Sequence, residues 1–215
     1  YISAKENIFL HQSVSDRVIL NNDNDITRSF VPVAKGKVTL FSRREEPEGD
    51  AIFLRDGTIW VRDSGGERAV LPCRDILLPG DHNVENYMAA IGAVNGLVKD
   101  ETIRAFASSF GGVEHRIELV RELDGVRYYN DSIASSPTRT MAGLKCFPEK
   151  VILIAGGYDK HIPFDDLGPV IVEHVKYLIL TGDTSSKIRS AVESALQYRA
   201  GEPDIREFHA FEDAV

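Results

Sequence analysis

Residues 151–181 read VILIAGGYDKHIPFDDLGPVIVEHVKYLILT, and the fold class turns on them. Two continuous apolar runs, Val151–Ala155 and Tyr177–Thr181, flank a helix-like segment near 169–174. Runs without polar alternation are those of strands buried on both faces of a parallel sheet. A helix over 184–197 and a strand over 205–208 continue the pattern, which predicts an open parallel α/β sheet. The first run ends in Ala155-Gly156-Gly157-Tyr158-Asp159-Lys160. There the glycines allow close backbone approach, and Lys160 sets a cation beside exposed N–H groups. A plain strand–helix turn accounts for those six residues equally well.

Working upstream, residues 115–140 read HRIELVRELDGVRYYNDSIASSPTRT. Ile117–Leu123 and Val126–Tyr129 are two strands joined by Asp124-Gly125, a strong hairpin signal. The second strand delivers Asn130, Asp131 and Ser132 together, ahead of a helix that begins near Pro137. Polar groups at the C-terminal end of a strand are where α/β folds bind ligands. His115 and Arg116 open the hairpin just after Phe110-Gly111-Gly112, where the chain is punctuated. That divides it into residues 1–110 and 111–215. Arg116 alone reads as a solvated surface residue, but its place beside the hinge makes it a candidate to reach a ligand.

Residues 1–110 carry a short helix over 1–12, a strand at Val18–Asn21 and a polar turn through Asp25. Residues 31–79 are β-like, with VTLF, a hairpin AIFLRDGTIWVR about Asp56-Gly57, and a Pro-rich connector. Asn83 is the expected N-cap of a helix over 84–98, whose Met88, Ile91, Val94, Asn95 and Val98 mark one face. Asp100 is the expected cap of a second helix ending near Ser109. In GDHNVENYMAA (80–90), beside His82, the spacing of three puts Asn83 and Asn86 together in the first turn. Two side-chain amides, each both donor and acceptor, suit a purine edge, although a cap plus a surface Asn is the plain alternative. Arg43-Arg44-Glu45-Glu46 reads as a solvated loop.

The formal net charge of −8 over 215 residues argues against a general nucleic-acid binder, whose affinity needs a basic surface. An anionic ligand must then be held by a few placed cations and backbone N–H groups. No apolar run approaches the roughly 20 residues that span a bilayer, and no signal peptide opens the chain. Cys73 and Cys146 lack metal-ligand spacing and read as reduced thiols of a cytoplasmic protein. Tyr1 and the terminal Glu212–Val215, a helix start that never develops, both read as cuts in a longer protein.

Taken in order, AK (4–5), ILNNDND (19–25), GDHNVENYMAA (80–90), FGGVEHRIELV (110–120), GVRYYNDSIASSPTRT (125–140), ILIAGGYDK (152–160) and LTGDTS (180–185) resemble the ATP-dependent Mur ligases. Asn130-Asp131-Ser132 is most similar to the branch that adds D-glutamate. The resemblance implies that residues 1–110 are the latter part of a central ATPase domain. Residues 111–215 would be most of a C-terminal, dinucleotide-fold (Rossmann-like) open-sheet domain. The family's P-loop would precede Tyr1, and a closing Ser/Phe region would follow Val215.

The resemblance also implies roles. Asn83 and Asn86 contact the adenine region of ATP, Asp131 the ribose, and Arg116 the phosphates. Lys160 and Ser135 hold the D-glutamate carboxylate, and Ile133 stands where relatives often carry Lys, removing a cation from that pocket. Lys5 matches a position that CO₂ carbamylates, turning a cation into an oxygen anion of the kind Mg²⁺ prefers; without the family it reads as a solvated helix residue. The implied reaction phosphorylates the alanyl carboxylate of UDP-N-acetylmuramoyl-L-alanine, and the D-glutamate amine attacks the acyl phosphate, in a cytoplasmic monomer of peptidoglycan synthesis whose C-terminal domain closes onto the central one. Without a phosphate cradle, residues 1–215 alone are not expected to catalyse it. The rivals are another Mur-type or folylpolyglutamate-type ligase, and a binding module of the same fold that has lost its P-loop.

Overall fold

A computed structural model describes residues 1–214; the end of the expected C-terminal helix start, Val215, lies outside the described residues. The chain folds as two units, Tyr1–Gly111 and Gly112–Val215. The first unit opens with helix α1 (Ile2–Leu10). A five-stranded sheet follows, in the order β1 (Arg17–Asn21), β2 (Lys37–Ser42), β3 (Ala51–Arg55), β4 (Thr58–Asp63), β5 (Gly66–Pro72). The first three strands are parallel and the last three antiparallel. A four-residue helix, α2 (Asp25–Arg28), occupies the polar turn after β1, with the Asn24 side chain capping its first N–H groups.

Strand β5 is a correction, since the sequence reading passed from the β3–β4 hairpin straight to a connector. Its apolar residues Val70 and Leu71 are adjacent and both fully buried, which breaks the period of two that marks a strand. A register shift opposite Ile59 and Trp60 inserts one residue there, as a β-bulge does. The long helix α3 runs Asp81–Val94 rather than 84–98. Gly80, at φ 98°, takes the cap position, so Asn83 lies inside the first turn. Helix α4 (Asp100–Ser109) is preceded by Lys99 as its cap, and Asp100 pairs with Arg68 at 3.1 Å instead. Met88 and Ile91 on α3 pack with Ile52, Ile59, Val61, Val70 and Leu71 of the sheet.

Helix α3 ends where Asn95 turns extended, and a polar knot holds it there. The Asn95 amide donates to Asp63 at 2.9 Å while its oxygen accepts from Arg68 at 2.6 Å. Asn95, the Gly65 N–H and Arg68 together keep the Asp63 carboxyl below its ordinary pKa. A depressed carboxyl stabilises the fold above its unfolded pKa, near 4, and that contribution fades as pH falls through the folded value. Asp63→Asn is therefore expected to cost about 1–3 kcal/mol at pH 7. In urea titrations the gap from the wild-type chain should narrow as the pH is lowered below about 4; a gap that stays constant would contradict this role.

In the second unit, β6 (Glu118–Leu123) and β7 (Val126–Asn130) form a separate hairpin about Asp124-Gly125. A parallel sheet in the order β10-β9-β8 follows: β8 (Val151–Gly156), β9 (Val175–Thr181) and β10 (Asp204–Phe208). Its helices are α5 (Pro137–Leu144), α6 (Leu167–His174) and α7 (Ser185–Glu193), the last shorter than expected. Leu178 and Leu180 of β9 pack with Leu167, Ile171, Ile188 and Val192. The expectation of burial on both faces does not hold, because Ile152 and Tyr177 are 55% and 48% exposed. The helices bury only the face that carries Leu153, Ala155, Leu178 and Leu180, and the opposite side chains stand free of that core.

Candidate functional site

In the first unit Asn83 and Asn86 lie at the start of α3, which side chains join to the ends of β1 and β2. After β1, the Asp23 carboxylate accepts from the Ser42 hydroxyl and from the Arg43 N–H at 2.8 Å. Arg43 reaches Asp81 at 2.9 Å and Glu85 at 3.3 Å, joining the end of β2 to the first turn of α3. Residues 43–46 form the expected loop, with Arg44, Glu45 and Glu46 exposed, and its charges are paired rather than free. Asn22 donates to Glu45, and Glu46 pairs with Arg55 at 2.6 Å. These partners lie far apart in sequence, so no local pattern announces them.

Asn83 is buried and donates to the Pro79 carbonyl at 2.7 Å. Asn86 is exposed and donates to the Asn83 oxygen at 3.3 Å. The pair therefore forms as its spacing implied, but with unequal duties. Asn83 is a strut, and Asn86 presents its own oxygen and a remaining N–H outward. That amide fits a base edge, which needs one acceptor and one donor.

Lys5 lies exposed on α1, its ammonium 5.4 Å from the centre of the Tyr1 ring. Among the described residues no three His, Cys, Asp or Glu side chains gather where they could hold a metal ion. As an ammonium, Lys5 offers no lone pair to a metal ion.

In the second unit Asp131 follows β7, half-buried. One carboxylate oxygen accepts from the Ile117 N–H at 3.1 Å. The other lies 2.9 Å from where a Cβ on Gly143 would sit, so a glycine in α5 is what admits the carboxylate. A glycine inside a helix costs stability relative to alanine, and that was the sequence signal for this contact. His115 and Ile117 both have positive φ, 64° and 47°, a costly conformation for a β-branched residue. Three bonds hold the bend: Asp131 to Ile117, the Ile133 N–H to the His115 carbonyl at 3.3 Å, and Asn130 to the His115 ring at 2.9 Å. Arg116 sits exposed between the two bent residues.

Ser135 is exposed on the same loop, its N–H bonded to the Ile133 carbonyl at 2.8 Å. Arg139 on α5, which the sequence reading did not single out, donates to that carbonyl at 3.1 Å. Lys160 is exposed in the loop after β8. Neighbouring Asp159 accepts from Lys187 and from the His161 N–H, and the Lys187 ammonium holds its carboxyl below the usual range. The structure thus brings Asp131, Ser135 and the Arg116 bend together, and it carries Lys160 on a separate loop.

Residues 1–94 match the Mur ligase middle domain, and residues 115–215 match the Mur ligase glutamate ligase domain. The chain belongs to the Mur ligase family. It is 52% identical over 217 residues to UDP-N-acetylmuramoylalanine–D-glutamate ligase of Acetivibrio thermocellus, an alignment covering 100% of this chain and 46% of that protein. It is 50% identical over 209 residues to the ligase of the same name from Ruminiclostridium cellulolyticum, covering 97% of this chain and 45% of that one. The chain therefore spans about half the length of the curated relatives it matches. Among solved structures it resembles a Mycobacterium tuberculosis folylpolyglutamate synthase complexed with ADP and AMPPCP, with TM-score 0.57, 17% identity, and coverage of 88% of this chain and 44% of that one. It also resembles a Thermotoga maritima UDP-N-acetylmuramate–alanine ligase, with TM-score 0.56, 13% identity, and coverage of 86% and 46%. At such identities these two carry the fold alone. No helix among the described residues is long and apolar enough to cross a membrane.

Proposed function

We propose that the full-length protein containing this chain is an ATP-dependent ligase of peptidoglycan synthesis that joins D-glutamate to UDP-N-acetylmuramoyl-L-alanine in the cytoplasm. The observation that carries this reading is the 52% identity to a D-glutamate ligase across the whole chain, through both units. Residues 1–110 serve as part of the ATP-binding domain, and 111–215 as most of the amino-acid domain. Asn86, braced by Asn83, takes the adenine edge. Asp131, which pins the bend, takes the ribose, and Arg116, on the bend, takes the phosphates. Lys160 and Ser135 receive the D-glutamate carboxylate.

In this reaction an oxygen of the alanyl carboxylate attacks the γ-phosphorus of ATP, and ADP leaves. The D-glutamate amine then attacks the acyl carbon, loses a proton, and expels phosphate. Such transfers depend on positioning and on neutralising charge. The test is an amino-acid panel with the full-length protein, UDP-N-acetylmuramoyl-L-alanine and Mg-ATP. Amide formation with D-glutamate, and not with L-glutamate on a folate acceptor, is the expected result. Ligation only in the folate arm would replace this reading with the folylpolyglutamate one. ATP-independent ligand binding without ligation would replace it with the binding module.

Asp131 offers a sharper measurement. Asp131→Ala is expected to raise the ATP KM or lower kcat by about 10- to 100-fold, or about 1.4–2.8 kcal/mol of lost positioning. Asp131→Asn keeps an acceptor for the Ile117 N–H, so it should retain the thermal stability of the wild type while still losing the charge offered to the ribose. Unchanged kinetics in both variants would reject the ribose role.

A further inference from the structure

Asn83 is 8% exposed, and its side chain is fixed by a group that can act in one way only. The two ends of an amide have nearly the same shape, so its hydrogen-bond partners decide which way it points. The Pro79 carbonyl has no hydrogen to give, so the Asn83 atom 2.7 Å from it is the amide nitrogen. That turns the Asn83 oxygen to Asn86, three residues on along the same helix face. Asn86 in turn must offer Nδ2 to that oxygen, at 3.3 Å. A backbone carbonyl thus sets the polarity of two side chains in series, and the outer one is exposed.

That polarity bears on which base Asn86 can accept. Adenine carries an exocyclic amino group, a donor, beside a ring nitrogen that accepts. Hypoxanthine and guanine carry a carbonyl in place of that amino group, an acceptor. The locked amide meets adenine with Oδ1 at the amino group and its remaining N–H at the ring nitrogen. To meet the carbonyl, the amide would have to turn over and present its N–H there instead. Its oxygen would then face the Asn83 oxygen, two acceptors with no hydrogen between them.

We infer that Asn83 is a positioning residue that sets nucleobase selectivity. By holding Asn86 in one orientation, it makes the site take adenine nucleotides and reject those with a carbonyl in place of the amino group. The inference rests on the proposed place of Asn86 at the adenine edge, and it adds how that edge tells one purine from another.

Steady-state kinetics of the full-length protein with ATP and with inosine triphosphate test it. Wild type should favour ATP in kcat/KM by about 10- to 100-fold, the worth of one two-bond amide–base pair. Asn83→Ala and Asn83→Leu both remove the oxygen that holds Asn86, the second while filling the space. In each that folds, the preference should shrink about 10-fold as Asn86 becomes free to turn. Asn83→Asp keeps an oxygen toward Asn86 but cannot donate to Pro79, so it should retain the ATP preference while melting at a lower temperature. A role in stability alone would lower the melting temperature of all three and leave the preference unchanged, and that result overturns the inference. So does a wild type that uses both nucleotides equally, or an equal loss of preference in Asn83→Asp. Wild-type protein that forms no amide from D-glutamate and ATP overturns the functional reading, and the inference with it. An active wild type whose ATP preference survives in Asn83→Ala and Asn83→Leu overturns the inference alone.

Discussion

Lys5→Ala in the full-length protein is expected to abolish turnover while leaving the fold intact. The side chain is exposed on α1, and its ammonium touches only the Tyr1 ring among the described residues, so removing it costs little packing. Its value under the proposed function is chemical. A carbamate formed from the amine and CO₂ would replace a positive charge with an oxygen anion, and hard oxygen anions are what Mg²⁺ prefers. Lys5→Arg should be equally inactive, because a guanidinium stays charged and cannot take up CO₂. Acetate should partly restore Lys5→Ala by supplying an oxygen anion in the vacated space, and it should restore Asp131→Ala less. A fully active Lys5→Arg protein would reject the carbamate. In the 215-residue chain alone Lys5 is expected to be an unmodified amine, and a mass gain of one CO₂ there would contradict that.

Gly156→Ala is expected to have the largest effect on stability. At φ 141° the residue lies where side chains are rarely found, and a Cβ would fall 1.6 Å from the Thr181 carbonyl oxygen. That approach is what lets the Gly157 N–H reach Thr181 at 3.0 Å and the Thr184 N–H reach Gly157 at 3.2 Å, joining the ends of β8 and β9. Overpacking costs about 1–3 kcal/mol or more, and left-handed backbone adds about 1–2. The second unit should then melt at least about 10 °C lower, at roughly 4–8 °C per kcal/mol for a domain of this size. Gly157→Ala is the control. Its Cβ would meet nothing within 4 Å, so it should pay for backbone strain alone. Equal melting temperatures for the two variants would contradict the close approach.

Much of this architecture was legible because it is written locally. The Asp56-Gly57 and Asp124-Gly125 turns adopt the positive φ values that their residue types imply, and the parallel order of β8 and β9 followed from alternation. Strand β5 was hidden because a bulge puts Val70 and Leu71 side by side in the core. The cap of α3 was misplaced because Gly80 competes with Asn83, and a glycine at positive φ leaves the asparagine free to reach back to Pro79. Burial of β8 and β9 on both faces was read from apolarity alone, which reports what a strand can bury and not what covers it.

The candidate site divides in the same way. The Asn83–Asn86 pair was visible because three residues is one helical turn. The clasp of Asp131 on Ile117, the Gly143 gap behind it, and the Arg43 pairs with Asp81 and Glu85 join residues at least a dozen positions apart. Their partners exist only once the chain is folded.

The central claim is tested most directly by following an oxygen atom. Full-length protein is given UDP-N-acetylmuramoyl-L-alanine labelled with ¹⁸O in the alanyl carboxylate, together with Mg-ATP and D-glutamate, and the released phosphate is examined by mass spectrometry. The account predicts one ¹⁸O in each phosphate formed with the amide, because the carboxylate oxygen that attacks ATP leaves with the phosphoryl group. Unlabelled phosphate, or phosphate released without D-glutamate entering the product, would contradict it.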